Sequence, residues 1–284
     1  MIAVTGATGQ LGRLVITELL KSVSANELVA VVRTPDKAAD LAALGVQVRR
    51  GDYTLPETLA NALAGVDKLL LISSSEVGQR VAQHANAIAA AKSAGVKLLA
   101  YTSILHADST PLGLGAEHRQ TEALLAQSGL PFVLLRNGWY TENYAASIPS
   151  ALQYGVLLGS AGEGRIASAT RADYAAAAAA VLLKEAPAGK VYELAGDASY
   201  TLSDFAAAIA KQSGKPVAYQ DMPPADFAAA LKHAGLPEGL ADLLADSDAG
   251  ASRGGLFDDS RTLSALIGRP TTPMAEVVRK ALAA

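Results

Sequence analysis

Thr5-Gly6-Ala7-Thr8-Gly9-Gln10-Leu11-Gly12 is a GxxGxxG run that follows the short apolar stretch Ile2–Thr5 and opens the longer stretch Leu11–Lys21. In a strand–turn–helix each glycine has a separate use. One allows the sharp turn, one lets a pyrophosphate approach the backbone amides, and one lets the helix pack closely on the strand. The helix start adds unpaired N–H groups and a partial positive charge. A ligand-free glycine turn is the alternative, and the strand–loop–helix context argues against it.

Outward from this loop the first half keeps one rhythm. Apolar runs of strand length fall at Ile2–Thr5, Leu28–Val32, Val46–Arg49, Lys68–Ser73, Leu98–Thr102 and Phe132–Arg136. Between them Leu11–Lys21, Asp36–Leu44, Leu55–Ala64, Gly78–Ala94 and Gly115–Ser128 have helical length and apolar spacing near 3.6. Gly45, Gly65, Gly95 and Gly129 stand just past these helices, where a left-handed cap suits glycine. Such alternation predicts an α/β, doubly wound parallel sheet of the Rossmann type, with helices on both faces. After Gly138 the rhythm changes. Gly155–Ser168 lacks a helical period, Asp173 is placed to cap a helix through Ala175–Ala180, and Val191–Leu194 reads as a strand. Short helices are expected at Ser203–Ser213, Ala225–Ala234 and Thr272–Ala283, the last with Thr272 as cap and Pro273 in its first turn. The expected organisation is a nucleotide-binding domain over 1–138, to which 165–195 returns. A smaller C-terminal α/β lobe is formed by 139–164 and 196–284.

Composition narrows the function. Half of the 284 residues are apolar and 18% are charged, enough apolar surface to bury a core. The charges nearly balance, 24 basic against 27 acidic, so the chain lacks the positive excess that a nucleic-acid binder uses on phosphates. No cysteine is present, which removes disulfides, zinc thiolates, iron–sulfur clusters and thiol catalysis together. The four histidines are scattered without an acidic cluster, so no metal site is expected. The longest apolar run, Ala175–Leu183, is far short of the roughly 20 residues that span a bilayer. Met1 is followed at once by Ile2-Ala3-Val4, without a basic leader region, and a soluble cytoplasmic protein without membrane insertion is expected.

The choice of dinucleotide is made at the end of the second strand, about 20 residues past the glycines, where an acid would bind the adenosine ribose. Arg33 stands there instead, and no acid follows until Asp36. An arginine can grip a 2′-phosphate through charge-assisted bonds, which favours NADPH over NADH. Gly51-Asp52-Tyr53, after the third strand, is a weaker candidate to flank the adenine.

TGATGQLG at 5–12, Arg33, Gly51-Asp52, Arg136-Asn137-Gly138-Trp139, Asn143, SSSEVGQR at 73–80 and ASATRADYA at 167–175 together resemble the NmrA-like atypical short-chain dehydrogenase/reductases. Within them the likeness is greatest to the bacterial type 2 NAD(P)H:quinone oxidoreductases, and it covers essentially the whole chain. The resemblance implies an NADPH-dependent, flavin-free enzyme with its cofactor along the carboxyl ends of the strands. It implies nucleotide contacts at Gly6, Ala7, Thr8, Gly9, Gln10 and Leu11, at Arg33, and at Ser73, Ser74 and Ser75. Further contacts fall at Asn137, Gly138, Trp139, Tyr140, Thr141 and Glu142, and at Arg171. Chemistry supports part of this. Ser73–Ser75 ends the fourth strand, where ligands of open α/β sheets sit, although a serine-rich turn reads equally well. The Asn137 carboxamide needs both donor and acceptor partners. Trp139 and Tyr140 could wall a nicotinamide or a flat substrate, or belong to the core. Arg171 could pair with Asp173 or Glu163 instead of a phosphate.

Most short-chain reductases protonate a carbonyl with a Tyr-x-x-x-Lys pair. Here the corresponding stretch is Leu114-Gly115-Ala116-Glu117-His118, with both catalytic positions changed. Alcohol dehydrogenase and epimerase chemistry are thereby disfavoured. A quinone fits better, because hydride addition yields a stabilised aromatic anion and positioning supplies much of the rate. The candidate catalytic residues are Trp139, Tyr140 and Asn143, the last as a hydrogen-bond donor to a quinone oxygen or as a cap or turn residue. Tyr101, His106 and His118 are further polar candidates, and His84 and His233 are expected at the surface. A second reading is an NADP(H)-binding redox sensor that reports to a partner through its second lobe, where 155–165 and 246–261 could move as a lid or bind a partner.

Overall fold

The computed structural model describes residues 1–184 and 188–283. The expected segments 165–195 and 196–284 therefore include residues, 185–187 and 284, that lie outside the described residues. Two compact units emerge: Met1–Ile104 with Ala116–Asn137 and Arg171–Tyr192, and Leu105–Gly115 with Gly138–Thr170 and Glu193–Ala284. The loop Leu105–Gly115, inside the stretch read as nucleotide-binding, falls in the second unit, as does 165–170.

The strands are β1 Ile2–Thr5, β2 Leu28–Val32, β3 Gln47–Arg50, β4 Lys68–Leu71, β5 Leu98–Ile104, β6 Phe132–Asn137, β7 Val156–Gly159, β8 Lys190–Leu194 and β9 Ala218–Asp221. The helices are α1 Gln10–Leu19, α2 Ala39–Ala43, α3 Pro56–Ala62, α4 Arg80–Ser93, α5 Gly115–Ser128, α6 Thr141–Ala145 and α7 Ile148–Tyr154. Then follow α8 Arg171–Leu183, α9 Leu202–Ser213, α10 Pro224–His233, α11 Glu238–Ala251, α12 Thr262–Ile267 and α13 Met274–Leu282.

A seven-stranded sheet runs in the order β3-β2-β1-β4-β5-β6-β8, and the pairs from β3 through β6 are parallel. The all-apolar β2 and the seven buried residues of β5 are what a strand covered on both faces requires. Val29, Val31, Leu69, Leu71, Leu99 and Tyr101 point to one face, where Leu59, Ala87 and Leu125 of α3, α4 and α5 close the core. α1 and α8 pack on each other through residues outside that cluster, the alanines of α8 permitting close approach. The strand order reverses between β1 and β4, so their carboxyl ends flank the crevice where such sheets bind ligands.

In the second unit β7 pairs in parallel with β9. Helices α7, α9 and α10 pack on β7, α10 packs on α11, and α13 packs on α6, α7 and α9. Neither β7 (VLLG) nor β9 (AYQD) is evident from periodicity, and their pairing joins residues as distant as Leu157 and Tyr219. Several local expectations shift. Asp173 is not the cap of its helix, which begins at Arg171; it lies buried inside the first turn. Pro273 is the cap of α13, not its first residue. The Asp36–Leu44 helix divides into a 3₁₀ turn, Pro35–Ala38, and the single turn of α2. Residues 246–251, the start of the 246–261 segment, form the last turns of α11. The four glycines read as helix stops all have positive φ, between 71° and 86°.

Candidate functional site

In the first unit the site begins at the glycine loop. Gly6 has φ +59°, a conformation that L side chains rarely adopt. A Cβ on Gly12 would lie 2.4 Å from the Gly6 carbonyl oxygen and 2.7 Å from the Ala7 Cα, so only glycine lets α1 come this near the loop. Gly9 caps α1 without a side-chain bond, and no acidic residue occupies the first turn. The exposed start of the helix therefore presents N–H groups and positive potential to an anion. Gly6, Gly9 and Gln10 are exposed, whereas the side chains of Ala7 and Leu11 are buried, leaving those two only backbone to offer a ligand.

Arg33, one residue beyond β2, is exposed, and its Nη1 donates to Glu76 Oε1 at 2.7 Å. Glu76 Oε2 accepts from Gln83 Nε2, also at 2.7 Å. Sequence spacing finds the arginine but misses this acid, 43 residues away in the chain. Asp52 and Tyr53 have other duties. Burial works to raise the Asp52 carboxyl, but the Thr54 hydrogen bonds and the charges of Arg33 and Arg50 outweigh it and hold it below the usual range. The Tyr53 hydroxyl donates toward Thr5 Oγ1 and the Ile72 carbonyl, tying together the ends of β1 and β4.

The serine turn after β4 is pinned from beneath. Ser73 N–H donates to Thr102 Oγ1, Ser74 N–H donates to His84 Nε2 at 3.0 Å, and Arg80 Nε donates to the Ser74 carbonyl at 2.8 Å. His84, expected at the surface, is instead fully buried. Its Nε2 accepts the Ser74 amide, so Nδ1 carries the proton toward Thr121 Oγ1, 2.9 Å away. Burial and the Arg80 charge push its pKa down to about 3, keeping the ring neutral. His118 is also buried, beside Tyr101 at 2.8 Å, and burial with the charges of Arg80 and His84 lowers its pKa well below the usual value. Tyr101 and His118 are thus core partners. Ser103, whose hydroxyl donates to Glu122 Oε1 at 2.5 Å, and Arg136, which grips Glu122 through Nε and Nη2, complete this buried network.

Asn137 ends β6 with its carboxamide oxygen buried and without a hydrogen-bond partner. A buried acceptor left unsatisfied costs about 1–3 kcal/mol. Arg171 opens α8 in this same unit, partly buried. Among the described residues no group of three or more His, Asp or Glu could hold a metal ion, and no helix is long and apolar enough to cross a membrane.

The second unit receives the remaining candidates. Gly138 N–H donates to the Leu194 carbonyl. Thr141 is fully buried, its hydroxyl bonded to Ser168 Oγ, which in turn meets the Tyr200 hydroxyl, so the Thr141 side chain belongs to the interior. Tyr140 caps α6 and bridges Ala169. Glu142 and Asn143 follow within α6, both partly exposed. Trp139 and Asn143 line a cavity of about 240 Å³, together with Leu157, Leu202, Phe227 and Leu231; Tyr140 lies outside its lining. A cavity of ~150 Å³ holds benzene, so this one has room for a fused bicyclic ring. The wall also carries Tyr144 and Asp248, which sequence reasoning missed. The Tyr144 hydroxyl donates to Asp248 Oδ1 and Ser160 N–H donates to Oδ2, each at 3.0 Å. Burial pushes the Asp248 carboxyl up to about 6, against the pull of those two donors and with help from the charge of Asp221. Partners 104 residues apart leave no local signal to find them by. His106, at φ +51°, donates its N–H to Glu193 and holds its ring near Asp258 and Glu193, outside the cavity lining.

The NAD(P)H-binding family matches residues 6–185. Quinone oxidoreductase 2 of Escherichia coli K12 is 65% identical over 98% of this chain and 97% of its own length. The crystal structure of the NADPH-dependent quinone oxidoreductase of Escherichia coli complexed with NADPH is similar with a TM-score of 0.97 and 64% identity, covering 99% of this chain and all of that one. The Citrobacter sp. triphenylmethane reductase complexed with NADP(H) is similar with a TM-score of 0.95 and 39% identity, again over 99% of this chain and all of that one.

Proposed function

The chain belongs to the NAD(P)H-binding family and, within it, to the group of quinone oxidoreductase 2, and from that premise we propose that it reduces quinones with NADPH by direct two-electron hydride transfer without a flavin. The observation that carries this reading is the cavity with Trp139 and Asn143 in its wall, immediately after the β6 strand that ends in Asn137. The cofactor supplies the hydride, and the chain's own residues do the rest.

The open amides of the Gly6–Gln10 loop would hold the pyrophosphate, and Arg33 the 2′-phosphate. Ser73–Ser75, Gly138, Tyr140, Glu142 and Arg171 are assigned to the remainder of the nucleotide. Of Ala7, Leu11 and Thr141 only the backbone is assigned, because their side chains are buried. Asn137 would satisfy its buried carboxamide oxygen on a donor of the bound nucleotide. Trp139 gives the quinone a flat apolar wall, and Asn143 a hydrogen-bond donor. A quinone suits this site because its reduced anion is aromatic, so holding the ring in place does much of the work. The redox-sensor reading is not favoured, since the extensive likeness is to an oxidoreductase.

Purified protein given NADPH and 1,4-naphthoquinone, with no flavin added, should oxidise NADPH at a rate proportional to enzyme. Binding of NADPH without turnover of any of several quinones would sink the proposal.

A further inference from the structure

The cavity is mostly apolar, with Asn143, Ser147 and Ser150 among its lining and one carboxyl group, that of Asp248, in its wall. Asp248 on α11 is 4% exposed and lines it, and so does Tyr144 on α6, 9% exposed. A buried carboxylate in an apolar wall is disfavoured unless it is hydrogen-bonded. Here it has two donors, and one of them is a phenol that itself faces the substrate space.

We propose that Tyr144 is the proton donor to the reduced quinone and that Asp248 is the positioning residue that turns the Tyr144 hydroxyl toward the cavity and resupplies its proton. This rests on the reading that the cavity takes the quinone.

The geometry sets up two proton arrangements. With Asp248 ionised, the Tyr144 hydroxyl donates to Oδ1 at 3.0 Å, and its proton is withheld from the cavity. With Asp248 protonated, the carboxyl donates to the Tyr144 oxygen along the same line, and the phenol proton is released toward a ligand. Oδ2 keeps the Ser160 N–H in both arrangements. Once one quinone oxygen has received the hydride, the other is an anion. The Tyr144 O–H bond breaks as the hydroquinone O–H bond forms, and the Asp248 proton passes to the Tyr144 oxygen. The carboxylate then regains a proton from solvent at the cavity mouth, where Tyr154 is 71% exposed. The sum, quinone plus NADPH plus one proton giving hydroquinone plus NADP⁺, balances.

Burial does most to favour a protonated carboxyl, against the Ser160 N–H and the Tyr144 hydroxyl. Asp221, on β9, also raises the carboxyl through its negative charge, and Asp221 is itself held by the Tyr219 hydroxyl at 2.6 Å and by Gly162 N–H. Tyr219 of β9 and Tyr200, just ahead of α9, are the other titratable groups acting on the pair, and both are neutral phenols. The carboxyl therefore ionises at about 6 rather than in the usual carboxylate range, which keeps a protonated fraction at hand near neutrality.

The test uses Tyr144→Phe and Asp248→Asn beside the wild type, with NADPH and 1,4-naphthoquinone from about pH 5 to about pH 8. Trp139, the only tryptophan of the chain, lines the cavity, so quenching of its fluorescence by the quinone reports occupancy without turnover. All three proteins should bind quinone within about threefold of one another, as their hydrogen-bonding shapes are nearly conserved. Wild-type kcat should fall as pH rises through about 6. Tyr144→Phe should lose about 100-fold in kcat across the range. Asp248→Asn, whose amide still orients Tyr144 but cannot resupply its proton, should lose several-fold in kcat, less than Tyr144→Phe, with a flattened pH profile. Variants that bind the quinone yet keep the wild-type kcat and pH profile overturn the proposal. So does a quinone that is turned over but leaves Trp139 unquenched. A wild type that binds NADPH and reduces no quinone overturns the functional reading instead. If Tyr144→Phe does not fold, the pH profile of Asp248→Asn decides.

Discussion

Arg33 and Glu76 show how one side chain can be set for a ligand and contested at the same time. The guanidinium stands at the strand end proposed to hold the 2′-phosphate, and it is paired with a carboxylate that Gln83 holds in place. Both members of the pair are substantially exposed, so their mutual attraction is screened and weak. A doubly charged phosphate ester competes well against it. Arg33→Asp should therefore weaken NADPH by about tenfold, the low end for a charge-assisted contact at an exposed site, and leave NADH unchanged or improved. Glu76→Gln removes a negative charge beside the proposed phosphate site and should tighten NADPH a few-fold with little effect on NADH. Calorimetric affinities for both cofactors check the pair of variants. Unchanged selectivity in Arg33→Asp would remove the arginine from this role.

At the scale of elements, the decisive contact is that of α1 with the loop before it. Because a Cβ on Gly12 would meet the Gly6 carbonyl at 2.4 Å, Gly12→Ala must move the helix start or the loop. Overpacking of this kind costs about 1–3 kcal/mol. The variant should melt several degrees lower and bind NADPH more weakly, while Gln10→Ala, exposed and keeping its backbone amide, should leave the melting temperature unchanged. Thermal melts with and without NADPH distinguish the two. The same loop explains why the first unit could be read from sequence: its information is local. Glycine spacing, strand-length apolar runs and helix stops are properties of neighbouring residues, and β1 to β6 all lie within a few residues of where periodicity puts them. In the second unit α9, α10 and α13 also lie within two residues of their expected bounds, whereas its strand pair and cavity resist because their information is not local. Leu157 meets Tyr219, and Tyr144 meets Asp248, across separations no periodicity spans. His84 was misread for a related reason. A polar residue on an alanine-rich helix reads as solvated, and only the fold brings the Ser74 amide and Thr121 to its two nitrogens.

For the whole molecule, buried ionisable groups in the two units respond to pH in opposite senses. His84 in the first unit has a folded pKa of about 3 against an ordinary value of 6.5. Between those values the unfolded chain binds a proton that the folded one refuses. Stability is then lost on acidification below about 6.5, at about 1.4 kcal/mol per pH unit for one such group. Asp248 in the second unit behaves the other way, its folded pKa lying at about 6 above an ordinary 3.8. There the folded state holds a proton that the unfolded state releases, so stability falls as pH rises through that window. Above it a penalty of about 1–3 kcal/mol persists. An amide can keep both hydrogen bonds, accepting from Ser160 and donating to Tyr144, without the charge. Asp248→Asn should therefore be more stable than the wild type at pH 7.5 by about 1–3 kcal/mol, a gain of a few degrees in melting temperature. The gain should shrink below pH 6 and vanish near pH 4. Melting followed by Trp139 fluorescence reads this in the unit that contains the substitution. A gain that does not vary with pH would mean that the carboxylate is not buried at this cost. A gain that follows the expected window, joined to a flattened activity profile, would show a charge kept in an apolar wall against stability and for the chemistry of the site.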